Sequence, residues 1–111
     1  MEVNHSPSVM AKRLEAEVRM ILRPVDIYKL EPAMRETTGN LRQNLADARV
    51  YTNDYELSET REEQTLNAKR AKHWLNGARA DILIASQYDI FSAIDVAHLS
   101  AQIEQIIGSL Q

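Results

Sequence analysis

Cysteine is absent from this chain of 111 residues, and that absence excludes a disulfide, a thiolate nucleophile and any cysteine-based metal site. Glycine and proline are scarce, at three each. That is too few for the tight turns of a β-sandwich, and the glycines at 39, 77 and 108 stand too far apart to form a phosphate-cradling loop. Excess positive charge is missing too: sixteen acids against thirteen bases leave a net charge of −3, so bulk charge does not draw the chain to nucleic acid or to anionic membranes. No long uninterrupted apolar run occurs. The most apolar stretch, 82–107, is broken by Asp89, Asp95 and Glu104 and is not expected to span a bilayer. Residues 1–7 are polar and lack the apolar run of a signal peptide, so a soluble cytoplasmic protein is expected.

What is present is helix. Helix formers dominate, and the second half carries two heptad patterns. Ala68, Leu75 and Ile82 recur every seven residues, with Ala71, Ala78 and Ala85 as a partner row. Further on, Val96, Ile103 and Leu110 alternate with Leu99 and Ile106. Apolar residues at spacings of three and four fall on one side of a helix and need a partner helix to cover them.

Ser6 followed by Pro7 reads as the N-cap and first residue of a helix carrying Leu14, Val18, Ile21 and Leu22, which ends near Arg23 before Pro24. Residues 1–6 read as a flexible tail that includes His5. A connector over 26–31 follows. Pro32 opens a second helix to about Thr52, with Met34, Leu41, Leu45 and Ala48 inward and Gly39 as a tolerated helical glycine or, in the competing reading, a break. Residues 53–57 read as a loop. Ser58 reads as the N-cap of a third helix reaching about Ala85, and Asp89 as the cap of a fourth reaching Ser109. The expectation is an all-α, antiparallel, up-and-down bundle of about four helices forming a single domain over 1–111.

Function is less legible. Asp95 and His98 have the Asp-x-x-His spacing of di-metal carboxylate bundles, but Arg70 stands where His73 would need its acidic companion, so a polar surface stripe is the better reading. No catalytic residue, cofactor or metal site is expected, because no nucleophile turn and no acid–base pair is recommended by spacing. The fourth helix is apolar over a wide arc, with Ile90, Ile94, Ala97, Ala101 and Ile107 beside the main seam, so it is expected either to lie centrally in the bundle or to offer a surface for self-association or for another protein, two compatible readings.

Charge is segregated: residues 54–63 hold five acids and one arginine, residues 64–79 hold Lys69, Arg70, Lys72 and Arg79 with no acid, and residues 80–111 hold four acids and no Lys or Arg. Arg35, Arg42 and Arg49 add a stripe at heptad spacing. Together these basic residues could contact phosphates. Ion pairing of the 69–79 run with Glu59, Glu62 and Glu63, between subunits or between helices, is the preferred explanation, and nucleic acid is an unlikely partner. The expected function is therefore non-catalytic protein–protein contact, as a homodimer and of adaptor or chaperone type. A nucleic-acid-associated regulator is the alternative, with an enzyme third.

Overall fold

The structure, a computed structural model, describes residues 6–110; of the expected tail over 1–6, residues 1–5, with His5, lie outside the described residues, and Ser6 is the N-cap of the first helix. Four helices follow in order: α1 (Pro7–Leu22), α2 (Pro32–Leu57), α3 (Arg61–Ser86) and α4 (Ala93–Ser109), with one 3-10 turn at Ile27–Lys29 between the first two. No strand occurs among the described residues.

Short connectors force each helix to run back along its predecessor, and the side chains that meet across each seam fix an up-down-up-down order. Between α1 and α2, Ser8 meets Glu56 and Glu15 meets Arg49. Asn44 of α2 meets Asp81 of α3, and Arg79 of α3 pairs with Glu104 of α4. The ring closes where Glu17 of α1 reaches His98 and Gln102 of α4. The molecule measures 46 × 32 × 18 Å. Its long axis is set by α2 and α3, whose 26 residues each span about 39 Å at 1.5 Å per residue.

The core is the one the periodicity describes. Leu14, Leu22, Leu41, Leu75, Ile82, Leu99, Ile103 and Ile106 are fully buried, as are Ala71, Ala78 and Ala85. Each large aliphatic side chain removed from water stabilises the fold by about 1.5–3 kcal/mol, so this cluster is the main driving force for folding. The small side chains of this buried alanine row leave room for a neighbouring helix to approach α3 closely. No helix among the described residues is long and apolar enough to cross a membrane.

Four boundaries differ from the sequence reading. The segment 53–57 is not a loop: α2 runs through it to Leu57, with Thr52 and Tyr55 continuing its buried row. Ser58 ends α2 instead of starting α3, donating its hydroxyl to the Asp54 carbonyl (2.7 Å). Thr60 is the true N-cap of α3, its Oγ accepting from the Glu63 amide (3.1 Å). Asp89 does not cap α4: its φ of 62° places it in the left-handed region, where it closes the C-terminus of α3. There the Ile90 amide reaches back to the Ala85 carbonyl (3.3 Å). Gly39 does not break α2. Of the connector residues, Val25 packs partly against the core while Tyr28 faces solvent.

Candidate functional site

The expected surface on α4 divides in two. Ile90 and Ile107 are half-buried against the bundle's own core, because α4 has two neighbours, α1 and α3, and its wide apolar arc mostly serves both. Ile94, Ala97 and Ala101 are left exposed, Ile94 at 82%. Ile94 is not alone. Among the described residues nine large apolar or tyrosine side chains are exposed, and six of them lie at the end of the bundle that holds both the α1–α2 and α3–α4 connectors. These are Met20, Tyr28, Leu83, Ile84, Tyr88 and Ile94, from the last turns of α1 and α3, the first turn of α4 and the connectors themselves.

The basic run on α3 does not form one patch. A helix turns 100° per residue, so consecutive cations are sent to different sides. Arg79 reaches α4 and pairs with Glu104, whereas Arg70 turns toward α2 and stacks over the Tyr51 ring, 5.6 Å from its centre. Lys69 points outward and Lys72 is half-buried. None of the four makes an ion pair with Glu59, Glu62 or Glu63 within the chain, so the interhelix form of the expected pairing is replaced by contacts of Arg79 and Arg70 across the two α3 seams.

Arg42 and Arg49 belong to a different feature. They lie on the edge of α2 facing α1, where Arg19 and Arg23 project from the last turns of α1, and all four line a groove of about 450 Å³ floored by Val18, Leu45 and Ala46. Arg35 continues the α2 stripe beyond the groove and is exposed. One carboxylate, Glu15, shares the lining: its Oε1 lies 2.9 Å from Arg49 Nε and 3.9 Å from Arg19. The stripe on α2 was readable at heptad spacing. Arg19 and Arg23 were not singled out, since only the antiparallel register of α1 on α2 brings them opposite it.

Asp95 and His98 serve different purposes. Asp95 joins Ser92 in a capping box at the start of α4, while His98 Nε2 lies 2.9 Å from Glu17 Oε2 and 3.3 Å from Gln102 Nε2 in a polar latch between α4 and α1. Among the described residues no three His, Asp or Glu side chains gather closely enough to hold a metal ion. Between α2 and α3, the Asp81 carboxyl accepts from Asn44 Nδ2 (2.7 Å). Burial raises its pKa above the ordinary 3.8, and the hydrogen bond offsets part of that rise.

No protein-family model, curated protein or solved structure matches this chain.

Proposed function

We propose that this is a cytoplasmic, non-catalytic protein that works through protein–protein contact, with a second copy of itself as the first partner. The observation that carries this reading is the gathering of six of the nine exposed large apolar or tyrosine side chains at the connector end of the bundle. Single exposed apolar residues are ordinary on a folded surface, but their concentration in one region marks a contact surface. Ile94 sits at the edge of this region, and the small side chains of Ala97 and Ala101 behind it would let a partner helix come close to α4. An adaptor or chaperone type of function suits an all-helical, acidic chain whose exposed apolar side chains are concentrated at one end.

Light scattering at tens of micromolar tests the proposal. The expected mass is near twice the 12.7 kDa of one chain. Because Ile94 faces solvent, Ile94→Glu should leave the far-UV circular dichroism spectrum unchanged while shifting the mass to that of a monomer. A wild-type monomer across this range, or an Ile94→Glu variant that stays dimeric, would sink the proposal.

A further inference from the structure

We propose that the groove between α1 and α2 binds a diphosphate group carried by a small molecule. In a chain of net charge −3, the groove lining holds four guanidinium groups and a single carboxylate. Like charges gathered on one wall repel each other, so the cluster favours a bound anion. The one carboxylate is already engaged. Glu15 holds Arg49 at 2.9 Å and reaches Arg19 at 3.9 Å, while Arg23 and Arg42 pair with no carboxylate among the described residues. Arg49 turns its buried Nε toward that carboxylate, which leaves Arg23 and Arg42 as the cations free to meet an incoming anion.

The chemistry of the wall selects phosphate. A guanidinium presents a planar fork of donors that matches phosphate oxygens bidentately. Arg19 and Arg23 stand one turn apart, a rise of about 6 Å, which suits two linked phosphates better than one. The apolar floor can take an organic body, and a volume of about 450 Å³ falls within the range of small-ligand pockets. A nucleic acid strand would need an extended basic surface, but past the groove the α2 stripe continues only to Arg35 and the cations of α3 point elsewhere.

Isothermal titration of the full chain at about 50 mM salt, where charge contacts are weakly screened, tests this with inorganic pyrophosphate and ADP as probes. The expected result is one site per chain. Arg23→Ala and Arg42→Ala should each weaken binding by roughly tenfold or more, as expected for lost charge-assisted contacts. Arg61→Ala, at the opposite end of the bundle, should bind as the wild type does, and all three exposed positions should keep the wild-type circular dichroism spectrum. Tighter binding of ADP would identify an organic diphosphate whose body rests on the apolar floor. Equal binding of both probes would identify free diphosphate, and either result supports the site. Absence of binding to both probes, or binding indifferent to Arg23 and Arg42, would overturn the proposal. So would a short single-stranded oligonucleotide that binds more tightly than either probe, which would assign the arginines to nucleic acid.

Discussion

Gly39 and Gly77 both lie inside long, continuous helices, yet their surroundings are opposite. A Cβ added at Gly39 would meet nothing within 4 Å, whereas one at Gly77 would lie 3.0 Å from Asn44 Nδ2, the atom that donates to Asp81. Alanine removes the entropic cost of a helical glycine at either site, about 0.5–1 kcal/mol. Gly39→Ala should therefore raise the midpoint of thermal unfolding by about 4 °C. Gly77→Ala should gain less or lose stability, because Asn44 must move and leave Asp81 without its donor. Asp81 also carries a pH dependence. Its folded pKa is raised above 3.8, so the folded state holds the proton to higher pH than the unfolded chain does. The stability this site contributes is then greatest below 3.8 and falls as pH rises through the raised value. Asp81→Asn keeps an oxygen acceptor for Asn44 and removes the charge. Its melting temperature relative to wild type should rise between about pH 3 and about pH 7, and a difference independent of pH would refute the burial argument.

At the scale of single elements, the rows that make the core were readable and the ends of the helices were not. Apolar periodicity is repeated over many residues, so Leu41, Leu75, Ile103 and their neighbours report the same face several times. An end depends on one or two residues, and here each had competitors. Ser58 and Thr60 are both good caps, but Thr60 alone has an acidic residue three positions later, Glu63, in a first turn that carries it. Asp89 and Ser92 compete in the same way, and Ser92 has the matching Asp95. Those pairs were the signal that would have separated the candidates. Packing between elements yields a further test. Ala78 is fully buried in the row that allows α3 its close approach to a neighbour. Ala78→Leu would overpack that seam and should cost about 1–3 kcal/mol in chemical denaturation. A variant as stable as the wild type would mean that the seam can yield.

Across the whole molecule the four helices are unequal. α2 and α3 have 26 residues each, while α1 has 16 and α4 has 17, so the outer pair can cover only part of the central hairpin. The same inequality explains why the groove was only half legible. The stripe on α2 belongs to one helix, but the arginines of α1 oppose it only in the assembled register. The wide apolar arc of α4 likewise allowed either a central place in the bundle or a shared partner subunit, and its two intramolecular neighbours, α1 and α3, account for Ile90 and Ile107. The seam that closes the bundle, α1 on α4, includes a polar latch: Gln102 Nε2 donates to Glu17 Oε1 (2.8 Å) beside the contact with His98. His98 is mostly exposed and Glu17 partly so, and exposed polar contacts of this kind contribute little to stability. The two long helices α2 and α3, by contrast, bring Leu41, Leu45, Leu75, Ala78 and Ile82, all buried, to the shared core. Local opening follows the least-buried contacts. Native-state hydrogen exchange should therefore show α1 and α4 opening below the global unfolding free energy, with the amides of Leu45, Leu75 and Ile82 exchanging last. Uniform protection across all four helices would instead show that the latch holds the ring as firmly as the core holds the hairpin.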